Sequence, residues 1–434
     1  MLTRQLSILI IIISLFTTFP VFAVNWLMVQ GTEKKMKGVK ASGLMTIDYQ
    51  RTKGSPLPVG LFKTQPAIFN QISPDLEDNE SITARRLQLN FRGWLMPKTN
   101  FFINFLGGEN GVTDFDEGQR IRPIDASITF NHFPKARLRA GMFKQPIGEE
   151  GLKPIFRRHY VNFSDATKQL VLERFFEQDG TPKHIPNHSA VPVSLFRDIG
   201  LQLFGHFRKH QWEHAYAVMV GQGYGLTLND HNDELDGYIY WSSEKVFSGK
   251  GPKQQGFKFF GWYQQGKRNI KVGQQQQLGS FDRKRYGIGT SYLKQKWRLN
   301  AEYIWADGMI NIGTDQSALS DAWSNNHKIM ASFHTFPEEK AHGWHIDLGY
   351  QLYPFLSANI RYDYLDRATV EAKNTRTFET TTLGLTYQPN KMTRLLINYE
   401  FRKRHADYLP ESHLVNQILT ALDDRIAIQF ERRY

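Results

Sequence analysis

The chain has 434 residues, a formal net charge of +12, 41% hydrophobic and 13% aromatic residues, 34 glycines and no cysteine. The missing cysteine excludes disulfide scaffolds, Cys-ligated zinc and thiol nucleophiles. A hydrophobic fraction this low argues against a bundle of membrane-spanning helices, and the excess of Lys and Arg needs an anionic partner.

The N-terminus reads Met1-Leu2-Thr3-Arg4-Gln5, then an apolar run from Leu6 to Phe16, then Val21-Phe22-Ala23. That is the pattern of a secretory signal cleaved after a small residue, and the run is shorter than the ~20 residues of a spanning helix. A signal peptide over 1–23 and an outer-membrane domain over 24–434 are expected. Exported chains rarely meet nucleic acid, so the positive charge points to anionic solutes or lipopolysaccharide phosphates.

A linker, Val24 to Lys37, precedes the first alternating strand, Val39 to Tyr49, and the Pro-rich stretch 53–83 reads as a loop. From Ala84 to Leu95, Leu87, Leu89 and Phe91 fall on one face and Arg86, Gln88, Asn90 and Arg92 on the other. Met96-Pro97-Lys98-Thr99 then turns the chain into a second strand, with Phe101, Ile103 and Phe105 opposite Asn100 and Asn104. The hairpin recurs at 124–131 and 136–143, where Asp125, Ser127, Thr129, Arg137 and Arg139 share a face. Further strands follow at 197–208, 211–222, 235–246, 255–265, 284–294, 296–305, 343–352, 355–365, 378–388, 393–403 and 423–434.

Short links alternate with long ones, as the turns and loops of outer-membrane barrels do. The alternating stretch 328–333 would make a seventeenth strand, but parity assigns it to one long loop, 306–342. The expectation is an all-β fold: a sixteen-stranded antiparallel transmembrane barrel, apolar outside and basic inside. Trp94, Trp212, Trp241, Trp297, Trp305 and Trp344 suit its interfacial girdles.

Between the fifth and sixth strands the segment from Lys144 to Phe196 is far longer than ordinary links. Ser164 can cap a short helix within 164–176, so this third loop is expected to fold into the lumen. Arg157, Arg158, Lys168 and Arg174 make it basic, with Glu149, Glu150, Asp165 and Glu173 among them. On the strands, Arg86, Arg92, Arg137, Arg139 and Arg361 must face inward, because a charge toward lipid at mid-membrane costs ~2–4 kcal/mol. These nine are the pore-lining, anion-binding candidates, each of which could instead pair with a neighbouring carboxylate. No His-Glu-x-x-His or Gly-x-Ser-x-Gly pattern occurs, and His184 and His188 read as loop residues, so neither an enzyme nor a metal site is expected.

Several of these pieces resemble the phosphate-selective porin O and P family. They are Arg85-Arg86, Arg139-Ala140-Gly141-Met142-Phe143-Lys144-Gln145-Pro146-Ile147-Gly148, Leu172-Glu173-Arg174, Arg197-Asp198-Ile199-Gly200, Gly343-Trp344, Gly349-Tyr350 and Ile360-Arg361-Tyr362-Asp363, in the family's order. The resemblance implies a sixteen-stranded homotrimeric porin of the Gram-negative outer membrane, whose third loop narrows a basic pore. The expected activity is passive diffusion of small hydrophilic solutes, biased toward anions such as phosphate. A second reading is a sleeve housing an envelope partner, suggested by Phe102, Phe204, Phe260 and Trp262 on the inner parity.

Overall fold

The computed structural model describes residues 38–54, 80–110, 112–113, 121–133, 135–181, 189–228, 232–249, 254–312, 323–325, 328–330 and 334–434. The expected signal peptide, 1–23, lies outside the described residues.

Sixteen antiparallel strands close into one barrel. In chain order they are β1 (Lys40–Gly54), β2 (Glu80–Met96), β3 (Thr99–Gly107), β4 (Arg122–Phe133), β5 (Ala136–Lys144), β6 (Arg197–Lys209), β7 (Trp212–Gly221) and β8 (Asp236–Ser248). The second half comprises β9 (Gln255–Val272), β10 (Gln277–Lys294), β11 (Trp297–Asp307), β12 (Lys340–Tyr353), β13 (Leu356–Arg367), β14 (Arg376–Tyr387), β15 (Thr393–His405) and β16 (Leu422–Arg433). Each strand pairs with its sequence neighbours, and β1 closes on β16 from Leu44↔Arg433 onward. Closure leaves no strand edge unpaired, which a lipid environment requires.

Alternation of side chains sets which residues meet lipid. On β2, Leu87 and Leu89 are 48% and 38% exposed on the outer surface, while Arg86 and Gln88 are 8% and 9% exposed on the inner one. The links alternate between tight turns at one end, such as 97–98, 210–211, 295–296 and 354–355, and longer connections at the other.

Two local expectations need correction, and one element was not anticipated. The strands placed at 255–265 and 284–294 continue to Val272 and back from Gln277, so a four-residue turn replaces a long link and the hairpin rises above its neighbours. Their extra cross-strand pairs, from Gly266↔Arg283 to Val272↔Gln277, carry the ladder on through residues whose charged side chains masked the alternation. Within 164–176, only one π-helical turn forms, Thr167–Val171. Ser164 does cap it, accepting from the Thr167 N–H at 3.3 Å, but Arg283 and Arg285 capture the Leu170 carbonyl, which leaves the helical ladder and ends the turn. The connection before β16, to which the sequence reading assigned no element, contains a helix, Leu414–Ala421, whose Val415 and Leu419 are buried. As parity required, Lys328–Met330 pairs only with Trp323–Asn325 and lies outside the barrel; residues 331–333 are outside the described set.

The apolar core of this molecule lies inside the barrel. Phe143, Leu152, Phe163, Leu170 and Phe196, from the end of β5 and the third loop, pack with the wall residues Phe204, Tyr240, Phe260 and Trp262. Three of the four inner aromatics, Phe204, Phe260 and Trp262, are thus covered by the chain's own loop, each side chain contributing roughly 1.5–3 kcal/mol.

Candidate functional site

The third loop leaves the wall where two backbones nearly touch. Gly141 faces Gly200, and Gly200 faces Gly221, in one row across β5, β6 and β7. A Cβ at Gly141, which has φ +117°, would sit 2.2 Å from the Ala126 carbonyl oxygen, and one at Gly200 would sit 2.1 Å from that of Val220. Only glycine allows this approach, so the two resembling motifs carry a backbone requirement.

From there the loop leans on β8 to β15. Arg361 on β13 donates to the carbonyls of Asn162 and Phe163 at 3.1 and 3.3 Å and to Glu150 Oε1 at 3.2 Å, and its guanidinium lies 4.5 Å from the Tyr160 ring centroid. Lys258 pairs with Glu149, whose own N–H donates to Glu302. The Asp165 N–H donates to Asp363, and its carboxylate accepts from Thr380 at 2.9 Å. Arg268 grips Glu173 with two bonds of 2.7 and 3.0 Å while holding Asp236, and Arg283 adds a contact of 3.1 Å. Tyr160 donates to Asp347, itself paired with Arg298. Beyond Phe176 the chain locks onto the raised hairpin, with the Asp179 N–H donating to the Lys271 carbonyl at 2.9 Å. The four carboxylates Glu149, Glu150, Asp165 and Glu173 are therefore all engaged by wall donors. Although burial alone would raise it, Arg361 and His345 hold the Glu150 carboxyl below its ordinary range.

The opposite face of the loop turns to β1 and β2, where the charge balance reverses. A bulge between Thr46↔Arg86 and Asp48↔Thr83 sets two β2 residues against one on β1. It swings Arg85 inward, so Arg85 reaches Asp48 Oδ2 at 3.0 Å and Asn162 Oδ1 at 3.4 Å. Strict alternation would have sent Arg85 to lipid. Arg86 and Arg92 make no side-chain hydrogen bond or ion pair among the described residues, although the charges of Asp48 and Glu431 act on Arg86. Arg158 lies 4.0 Å from the Phe163 ring centroid and likewise makes no ion pair among them, although the charge of Glu150, which Arg361 holds, acts on it. Burial first, then the positive charge of Arg86, pushes the Arg158 guanidinium down to about 9, which leaves it charged at neutral pH.

The nine candidates therefore fall into distinct places. Arg86 and Arg158 come together where the loop faces β2, while Arg92 lies six residues farther along β2, opposite Lys40. Arg157, next in sequence to Arg158, lines a cavity on the tight-turn side of the loop. Arg137 and Arg139 are 2% and 1% exposed on β5; Arg139 donates to Thr129 Oγ1 and sits over Phe204 at 4.5 Å. Lys168 is buried near Asp165, and Arg174 is buried beside Phe175 and Arg285. Arg361 holds the loop. Sequence reading missed Arg85, the Arg197–Asp125 pair at 2.9 Å and the anchors Lys258, Arg268 and Arg298. The doubled Arg85-Arg86 was the one available hint, since two adjacent arginines in a lipid-facing strand require a bulge.

No family model matches the chain, and no curated protein matches it. Among solved structures it is similar to the anion-selective porin from Comamonas acidovorans, with 11% identity, TM-score 0.52 and coverage of 92% of this chain and 99% of that one. It is also similar to Salmonella typhi OmpF in complex with daunomycin, with 12% identity, TM-score 0.50 and coverage of 91% and 97%. A third, OmpT of Vibrio cholerae, shares 8% identity with TM-score 0.50 and coverage of 92% and 100%. The likeness is one of fold, that of the porin-type transmembrane β-barrel.

Proposed function

We propose that this chain is an outer-membrane channel, exported with removal of residues 1–23, through which small hydrophilic solutes diffuse with a bias toward anions, phosphate among them. One observation carries the bias: the third loop's carboxylates are engaged by the wall behind it, while Arg86 and Arg158 meet in front of it with no ion pair of their own among the described residues, the nearby Asp48, Glu431 and Glu150 being paired with Arg85, Arg394 and Arg361. Guanidinium groups in that position replace part of an anion's water shell and repel cations. The channel works as a homotrimer bathed in outer-membrane lipid and lipopolysaccharide, and performs no covalent chemistry. Three of the four inner aromatics that would invite a sleeve for another protein, Phe204, Phe260 and Trp262, are covered by the loop itself, so the channel reading is favoured.

The test is the reversal potential of the purified protein in a planar bilayer under a KCl gradient. An anion-selective sign is expected, and Arg86→Gln with Arg158→Gln should lower the anion preference severalfold. A cation-selective or non-conducting protein overturns the proposal.

A further inference from the structure

β2 runs toward the tight turn at 97–98, so Arg92 stands roughly 20 Å nearer that end than Arg86, at ~3.3 Å per residue. The register across the wall there reads Lys40 on β1, Arg92 on β2, Phe102 on β3, Ser127 on β4 and Gly141 on β5, each directly opposite the next. Directly opposed residues share a face of the sheet, and Asn104, on the same face of β3 as Phe102, bonds the inward Asp125 at 2.9 Å. The whole row therefore fronts the lumen, with neighbours one strand spacing, ~4.8 Å, apart.

Two features of this row ask for an occupant. Lys40 and Arg92 set like charges directly across a strand pair, which destabilises the pair and which a bound anion offsets. Neither side chain makes a hydrogen bond or ion pair among the described residues, and the buried Arg92 Nε has no partner there. Asp48, Asp125 and Glu431, inward carboxylates of β1, β4 and β16, are paired with Arg85, Arg197 and Arg394 instead. Beside Arg92, the half-buried ring of Phe102 makes no aromatic or cation contact among the described residues, and of the four inner aromatics it is the one outside the third loop's core. Beyond it the row falls to Ser127 and Gly141, so it gives the ring no bulky neighbour on that side.

We infer that Lys40, Arg92 and Phe102 form a binding site for an aromatic carboxylate, benzoate being the simplest example, with the carboxylate held between the two cations and the ring stacked on Phe102. The inference rests on the channel reading and deepens it by naming a solute class. One strand spacing separates Arg92 from Phe102, close to the reach from a carboxylate to the ring that bears it. An inorganic anion uses only the cations, and a neutral arene only the ring. An aromatic acid meets both together and relieves the repulsion between Lys40 and Arg92. A sugar phosphate or sugar acid presents several hydroxyls, for which the row supplies one partner, Ser127.

The test uses the full chain in planar bilayers, with benzoate, acetate, benzamide or glucose 6-phosphate added on the tight-turn side. Benzoate should block the chloride current saturably, while the other three block far less. Phe102→Leu should weaken the benzoate block by about threefold or more, the effect of one lost stacking contact. Lys40→Gln combined with Arg92→Gln should weaken it by about tenfold or more, the effect of a lost charge-assisted contact. Benzoate block equalled by acetate, by benzamide or by glucose 6-phosphate, or unchanged in either variant, overturns the inference. Should the double variant fail to insert, Phe102→Leu decides alone under the same criteria. Calorimetric binding of benzoate in detergent separates the two readings: heat of binding by a protein that does not conduct would sink the channel but keep the site, and a conducting, anion-selective protein that binds no benzoate would do the reverse.

Discussion

Arg361 shows how one buried side chain can hold a loop of this length. It is 2% exposed and bonds two loop carbonyls and Glu150 while flanked by Asp363 on its own strand. Removing one member of such a buried pair leaves the other charge uncompensated, at about 3–5 kcal/mol. Arg361→Leu should therefore release the loop without melting the barrel, making residues 145–196 cleavable by added protease while the β-sheet circular dichroism is retained. Acid should act on the same contact. Because the Glu150 carboxyl is held below its ordinary value of 4.5, its contribution is present above that pH and is lost as pH falls through the lower folded value. Single-channel conductance should rise as pH drops below that ordinary value, and Glu150→Gln should already be raised at neutral pH and respond less to acid. A conductance that falls in acid in both proteins would show that Glu150 does not restrain the loop.

At the scale of elements, the row Gly141, Gly200 and Gly221 is where β5 and β6 hand the chain from wall to lumen. A methyl at Gly200 would press on the Val220 backbone, which cannot swing aside as a side-chain tip can. Gly200→Val should lower the yield of heat-modifiable, folded barrel on gels, whereas Gly261→Ala should be tolerated, because a Cβ there meets nothing nearer than 3.6 Å. Equal loss in the two variants would place the fault in β-propensity at large, not in this contact. The raised β9–β10 hairpin belongs to the same scale. It receives the returning loop through Glu177, Gln178 and Asp179, so the loop is bracketed at the glycine row and at the hairpin.

For the molecule as a whole, the barrel is turned inside out relative to a soluble sheet protein: its apolar belt faces outward and its packed aromatic core lies in the lumen. Trp212, Trp241 and Trp297 are 37%, 47% and 50% exposed on the outside, whereas Trp262 is 4% exposed inside. Brominated lipids should therefore quench much of the tryptophan fluorescence, and Trp241→Phe with Trp297→Phe should remove a large part of the quenchable signal, leaving Trp262 among the resistant emitters. Fluorescence indifferent to brominated lipid would place the belt in something other than lipid.

Strand number, order, facing and the place of 328–330 outside the barrel wall were legible in the sequence. The period of two and the alternation of short with long links are local signals that lipid outside enforces at every strand. The third loop's presence in the lumen was legible from its length, and the inward aim of Arg86 from the cost of a charge in lipid. Tertiary structure decided the rest. It decided that Arg85 joins Arg86 inside, because a bulge depends on the register against β1. It decided that the loop's helix stops at one turn, because Arg283 and Arg285 take the Leu170 carbonyl. It also decided which of the basic residues form ion pairs with the loop: Arg361 and Arg268 bind loop carboxylates directly, Arg86 and Arg158 make no ion pair of their own among the described residues, and that depends on which wall the loop leans against, a relation between residues 95 to 211 positions apart that no local pattern carries.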